Sequence, residues 1–178
     1  MQQVVSRHNT KLLKPQIANI NKKPDCNCQK ANLPCIAGGK CVPGNVVYRG
    51  NVTRLDTGHL DTYTGLSEPS FKDRWGNHKA SFKDENRRSE TCLSKHIWNL
   101  KDKSIPYTLK FTQLIEAPGY NPITQQCRLC LNEQYYIMHH PEGATINSRS
   151  EFFNTCMHKK KRLLCPPPPK TKKVKPRD

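Results

Sequence analysis

Cysteine supplies the clearest chemistry-bearing pattern in this chain. Cys127-x-x-Cys130, followed by Cys156-x-His158, offers three thiolates and an imidazole, the donor set of a closed tetrahedral structural zinc site. The gap between the two pairs is long, so the fold must close it; if it does, zinc clamps the segment around Glu133 to the segment around Asn147. Cys26, Cys28, Cys35 and Cys41 lie close together in a short stretch rich in glycine and proline, and form a second set of four by themselves. One mixed site, or unligated thiols, would draw on the same residues. Cys92 and Cys165 are left over and read as small apolar residues. The cysteine count is nine, and an odd number fits a complete disulfide framework poorly. The first residues, Met1 to His8, carry no signal-peptide apolar region, so an intracellular, reducing setting and metal ligation are the expected reading.

Charge points to the partner. Thirty Lys and Arg stand against fourteen Asp and Glu, a formal charge of +16, which attracts polyanions and makes nucleic acid the first partner to consider. The alternative is a merely solvated basic face. Nine basic residues and one acid fall between Lys159 and Asp178, half of the net charge, and Lys159-Lys160-Lys161-Arg162 would serve as a nuclear import signal. Pro166 to Pro169 interrupt that tail as a stiff spacer of about 12 Å. Apolar residues make up only 34% of the 178 residues and mean hydropathy is −0.82, so one domain with a modest core is expected. No apolar run is long enough for a bilayer, and no membrane partner is expected.

The elements that must position these groups follow from spacing. Residues 1–25 read as a linker or the end of an upstream region, and 26–44 as a zinc knuckle. Asn45 to Thr53 and Leu60 to Leu66 are rich in β-branched and aromatic residues around Asp56-Thr57-Gly58, predicting a hairpin. Ser67 is a candidate cap for a helix reaching Phe82, with Phe71, Trp75 and Phe82 on one stripe. A second helix is expected from Ser89, with Glu90 as macrodipole partner, to Lys101. Tyr107 to Ile115 alternates as a third strand, a loop with Pro118, Gly119 and Pro122 follows, and Leu129 to His139 is helical around Glu133. Residues 147–153 read as a loop entering a short helix.

This order of elements resembles the GIY-YIG nucleases. Val46-Val47-Tyr48 stands for the first tyrosine motif and Tyr63-Thr64-Gly65 for the second. Arg74 and His78 follow on a helix, then Glu133 and Asn147. Ser6-Arg7-His8-Asn9, Cys26-Asn27-Cys28 and Cys127-Arg128-Leu129-Cys130 are similar to the endonuclease part of Penelope-like retroelements. Val46 replaces the glycine of the first motif, which marks either a tolerated variant or a decayed site, and no cysteine pair lies between Arg49 and Thr62, a departure that suggests a Neptune-like lineage. The resemblance implies an α/β domain over residues 45–158, a small mixed three-stranded sheet flanked by helices, with zinc-binding cysteine insertions.

It also implies function: a metal-dependent endonuclease, a phosphodiester hydrolase, nicking DNA in the nucleus. The 3′-hydroxyl left behind would prime reverse transcription of element RNA by an upstream reverse transcriptase. Tyr48, Tyr63, Arg74, His78, Glu133 and Asn147 are its expected catalytic residues, and Glu133 the ligand of Mg²⁺ or Mn²⁺. The chemistry is compatible. Hydrolysis needs an activated water, a Lewis acid and donors for developing charge. Glu133 can hold a hard cation by oxygen, Arg74 matches phosphate as a planar fork, and Arg74 and His78 share a helix face at i and i+4. A nearby cation can bring Tyr48 or Tyr63 into use as a general base, with Tyr48 favoured by the resemblance. Taken singly, the tyrosines also suit a strand core, His78 a packing site and Glu133 a buried ion pair. The rival functions are a catalytically inactive zinc-containing module that binds nucleic acid, and a structural adaptor that binds protein.

Overall fold

The computed structural model describes residues 26–28, 34–124, 126–148 and 156. The expected linker over 1–25, His158, the short helix beyond 148 and the basic tail over 159–178 lie outside the described residues.

The β-branched run forms β1 (Val46–Arg54), and β2 (Leu60–Ser67) returns beside it. Between them Gly58 takes φ 70°, the left-handed conformation in which glycine has no side chain to strain. Its amide donates to the Arg54 carbonyl at 3.0 Å, which tightens the turn. The third strand, β3 (Tyr107–Glu116), pairs with the other side of β1, giving the order β2-β1-β3. Both pairs are antiparallel. The expected mixed sheet is therefore corrected to a fully antiparallel one. The hairpin fixes the first pair, and the helical crossover lands β3 on the far edge of β1. There β2 and β3 run in the same direction without being neighbours.

As the central strand, β1 is buried on both faces, and its alternation sends successive side chains to two cores. Val46, Tyr48 and Val52 join Phe71, Phe82, Leu93, Ile97 and Phe111 in one. Val47 joins Ala117, Cys127, Leu129, Cys130 and Cys156 in the other.

Helix α1 (Phe71–Lys83) is capped by Ser70, whose hydroxyl accepts from the Asp73 amide at 3.1 Å. The expected cap, Ser67, is instead the last residue of β2, and its hydroxyl donates to the carbonyls of Pro69 and Ser70. Pro69 keeps the residue before it out of the helical region, which delays the start. Phe71, Trp75, His78 and Phe82 recur at helical spacing, with all but Trp75 fully buried. His78 thus occupies a position on the apolar stripe. A 3₁₀ turn (Glu85–Arg87) leads to α2 (Cys92–Asp102). This helix starts three residues later than expected, because Thr91 is extended and its hydroxyl accepts from the Ser94 amide at 3.0 Å. Ser81 and Ser94, both buried, meet at 2.6 Å and join α1 to α2.

The stretch expected as a loop contains two short strands, β4 (Tyr120–Asn121) and β5 (Gln126–Cys127), paired antiparallel. They deliver Cys127 directly into α3 (Arg128–His139), which is followed by a 3₁₀ turn (Pro141–Gly143).

Both outer edges of the sheet carry further pairing, which blunts them against association. Along β2, the Ile146 amide donates to the Thr62 carbonyl at 2.9 Å, and the Thr62 amide donates to Thr145 Oγ1 at 2.8 Å. On β3, the Phe111 amide donates to the Ile36 carbonyl at 3.2 Å. The cysteine-bearing segment before β1 therefore docks on one edge and the chain after α3 on the other.

The two tyrosine motifs meet through a glycine. Tyr48 pairs with Gly65 across β1 and β2. A Cβ on Gly65 would lie 2.8 Å from the Tyr48 hydroxyl oxygen and 2.8 Å from Tyr63 Cε1. The Tyr48 phenol lies across this gap in β2. Gly65→Ala should therefore displace it and cost about 1–3 kcal/mol by overpacking, read as a lower urea midpoint; wild-type stability would mean that the ring has room to spare.

Candidate active site and metal clusters

Alternation along β1 and β2 places Tyr48 and Tyr63 on one face of the sheet, and the stripe of α1 brings Arg74 and His78 over them. Arg74 Nε donates to the Tyr48 hydroxyl at 3.1 Å, and His78 Nε2 lies 2.8 Å from the same oxygen. The Tyr63 hydroxyl is a further hydrogen-bond partner of Arg74. Tyr48, Tyr63 and His78 are all buried. Their rings stand edge to face, with centroids 6.1 Å apart for Tyr48 and His78 and 6.2 Å for Tyr63 and His78. Phe111 and Phe82 stack on His78 at 6.0 and 5.8 Å, which fixes the imidazole plane.

Burial dominates the electrostatics here, since it disfavours charge on any group. It raises the Tyr48 phenol above its ordinary range; Arg74 works against that rise, and Glu133 adds to it. Burial together with the Arg74 charge pushes His78 down to about 3. Burial also opposes the charge on Arg74, but Tyr48 and Tyr63 more than offset it and hold the guanidinium above its ordinary range. At neutral pH the cluster is a protonated tyrosine, a neutral histidine and a cationic arginine.

Glu133 sits half-buried on α3, which packs against β1 and β2, and its field reaches the Tyr48 oxygen. Asn147 is engaged differently. Its Oδ1 accepts from the Thr64 amide at 2.8 Å and its Nδ2 donates to the Thr64 carbonyl at 2.8 Å. The side-chain amide thus mimics a neighbouring strand and pins the middle residue of the second tyrosine motif. Of the residues expected in the site, Tyr48, Tyr63, Arg74 and His78 converge, Glu133 acts through its field, and Asn147 buttresses the strand. Glu90, the other acid considered at a helix start, is exposed and paired with Arg87 at 2.6 Å.

Two positions carry more than their residue types suggested. Gly65 was legible as part of a motif, but its clearance for Tyr48 needs the pairing of Tyr48 with Gly65, which sequence spacing does not fix. Arg49 is half-buried on the central strand, on the face opposite Tyr48, and its Nε has no hydrogen-bond partner among the described residues. A charge between runs of Val and Tyr was its signal.

The cysteines gather as their spacing suggested. Sulfurs of Cys26, Cys28, Cys35 and Cys41 all lie within 4.8 Å of one another, as do those of Cys127, Cys130 and Cys156. Cys28 and Cys41 are 3.5 Å apart, Cys26 and Cys41 3.6 Å, and Cys130 and Cys156 3.7 Å. A tetrahedral ion with metal–sulfur bonds of ~2.3 Å separates its ligands by about 3.8 Å, so both clusters could hold a metal ion such as zinc. In the first, the Cys28 amide donates to Cys26 Sγ at 3.3 Å and lowers that thiol to about 7. Burial takes Cys41 up to about 12. The second cluster is fully buried and joins the N-terminus of α3 to Cys156. The fourth ligand expected there, His158, is outside the described residues.

No family model, curated protein or solved structure matches the chain. Among the described residues no helix is long and apolar enough to cross a membrane.

Purified chain should carry close to two zinc ions, one lost in Cys35→Ser and the other in Cys127→Ser, as measured by elemental analysis. Because ligand binding to such clusters is also folding energy, Cys127→Ser should melt at markedly lower temperature. A melting transition unmoved by complete zinc removal would make these cysteines ordinary packing residues.

Proposed function

We propose that the chain is a metal-dependent DNA endonuclease of GIY-YIG type that nicks one strand by phosphodiester hydrolysis. The observation that carries this reading is the buried Tyr48 hydroxyl held between Arg74 Nε and His78 Nε2. A buried hydroxyl is hydrogen-bonded in any role, so what supports the catalytic reading is the kind of partner it has. Here a cation and a neutral imidazole converge on one oxygen from a single helix face.

The proposed mechanism follows from those contacts. With His78 neutral in its Nδ1-protonated form, the Tyr48 hydroxyl donates to His78 Nε2 and accepts from Arg74. The remaining lone pair of the phenol oxygen is the proposed acceptor of the attacking water's proton. As that water attacks phosphorus, its proton passes to Tyr48 and the tyrosine proton passes to His78, while the bond from phosphorus to the 3′ oxygen breaks and that oxygen takes a proton from solvent, leaving a 5′-phosphate and a 3′-hydroxyl. In the free protein His78 is too weak a base for this step, because burial and Arg74 hold it near 3. A phosphate diester brought against Arg74 cancels much of that guanidinium field. The same anion favours an imidazolium beside it and so offsets the smaller, coulombic part of the shift, burial being the larger part. Arg74 keeps donors for the phosphate oxygens.

Glu133 is the proposed ligand of Mg²⁺ or Mn²⁺. A single carboxylate suits such an ion, which keeps most of its positions for water and phosphate. When bound, the cation supplies Lewis-acid stabilisation of the developing phosphate charge. Asn147 and Gly65 hold the geometry. Val46, where the resemblance expects glycine, is buried beside Tyr48 in the core; glycine offers no functional group, so the replacement removes none.

On the same reading the nick leaves a 3′-hydroxyl that primes reverse transcription of retroelement RNA in the nucleus by an upstream polymerase domain. The formal charge of +16 suits a nucleic-acid substrate.

Glu133→Gln should keep DNA binding and lose nicking of supercoiled plasmid by about a thousandfold or more, several kcal/mol of transition-state stabilisation. Arg74→Ala should resemble it, whereas Glu90→Gln should nick at the wild-type rate. Wild-type nicking by Glu133→Gln, or loss of it in Glu90→Gln, would place the acid elsewhere.

A further inference from the structure

The last two turns of α3 expose aromatic surface that neither the two cores nor the tyrosine cluster consumes. Tyr135 retains 51% of its accessible surface, as does Met138. The rings of Tyr135 and His139 lie 4.8 Å apart and 33° from parallel. One step around the helix, Tyr136 and His140 lie 5.4 Å apart and 32° from parallel. Tyr135 also meets Tyr136 at 5.7 Å and His140 at 5.8 Å. Four rings at consecutive helical spacings thus form a ladder with Tyr135 as its exposed rung.

A cation lies against the turn that follows this helix. The 3₁₀ turn Pro141–Gly143 follows His140 directly, and a Cβ on Gly143 would fall 1.9 Å from Arg49 Nη2. Glycine at this position therefore lets the guanidinium reach the turn. Among the described residues Arg49 has no ion pair, and its buried Nε has no hydrogen-bond partner. A half-buried guanidinium with no ion pair among the described residues is one that an anion would stabilise. The neighbouring ring faces suit flat, polarisable groups.

We propose that this end of α3 binds an unpaired DNA strand continuous with the substrate, bases stacking on Tyr135 and His139 and a phosphate meeting Arg49. The inference rests on the nuclease reading for its choice of ligand. Stacked aromatic faces take bases only when those bases are free of a duplex, and they do so with little sequence preference. The excess positive charge of the chain selects a polyanion over an apolar peptide. His139 lies six residues beyond Glu133 on α3, about 9 Å along the axis at ~1.5 Å per residue and about a third of a turn around it, so a strand running from Glu133 to these rings follows the helix surface around its end.

The test uses the full zinc-bound chain and two labelled DNAs, a blunt duplex and the same duplex with a single-stranded arm. Binding is read by fluorescence anisotropy, and nicking is followed separately. Wild type should prefer the armed DNA by about tenfold, in line with one or two stacked bases. Tyr135→Ala should abolish that preference while leaving duplex affinity unchanged, Tyr135→Phe should restore it, and Arg49→Gln should flatten its salt dependence. Equal affinity of the wild type for both DNAs would overturn the proposal. So would a Tyr135→Ala preference equal to that of the wild type, or an equal loss on both DNAs. Absence of nicking with intact preference for the armed DNA would instead remove the nuclease reading and leave the strand site standing.

Discussion

The arrangement turns on one oxygen. The Tyr48 hydroxyl is buried, and buried hydroxyls cost free energy unless their hydrogen bonds are made. Here both partners come from α1, at 3.1 Å from Arg74 and 2.8 Å from His78. Much of the rest serves that meeting. The phenol can reach α1 because Gly65 leaves a gap in β2. The helix is fixed at its start by backbone bonds to the cysteine-bearing segment, Phe71 to the Pro43 carbonyl and Lys72 to that of Cys41. The first cysteine cluster is thus mechanically coupled to Arg74 and His78, one turn and two turns further along.

The second cysteine cluster is placed for the corresponding task on the opposite face. Cys127 and Cys130 bracket the start of α3, and Cys156 joins them from a distant part of the chain. The helix so anchored carries Glu133. Asn147, Thr145 and Ile146 stitch the chain after α3 to β2. A chain with only 34% apolar residues has limited means of fixing two helices against a three-stranded sheet. Side-chain-to-backbone pairing supplies part of the constraint that apolar burial lacks, and two cysteine clusters that could hold a metal ion are placed to supply more.

Much of this was legible in the sequence because it depends on local pattern. The β-branched run gave β1, the turn at Gly58 gave the hairpin, and the spacing of apolar residues gave α3. Cysteine spacing foretold both clusters. What was not legible depends on register or on competition between neighbours. Ser67 and Ser70 are equally good caps as residue types, and only Pro69 between them and the pairing of Ser67 with Val46 decide for Ser70. His78 was open to two readings, a catalytic neighbour of Arg74 or a packing residue, and it falls on the stripe of Phe71, Trp75 and Phe82. The antiparallel sheet follows from which edge of β1 receives β3, a choice that no single segment encodes. Asn147 was found as a site residue, but its clamp on Thr64 requires two segments 83 residues apart to meet.

The decisive measurement is the single-turnover nicking rate of Tyr48→Phe with Mg²⁺ at neutral pH, beside its DNA affinity and zinc content. Phenylalanine keeps the ring in the core and removes only the oxygen. Zinc content and DNA affinity should stay as in the wild type, stability should fall by about 1–3 kcal/mol for the stranded partners, and nicking should drop by about a hundredfold or more. A Tyr48→Phe chain that nicks at the wild-type rate would contradict the central role given to this hydroxyl.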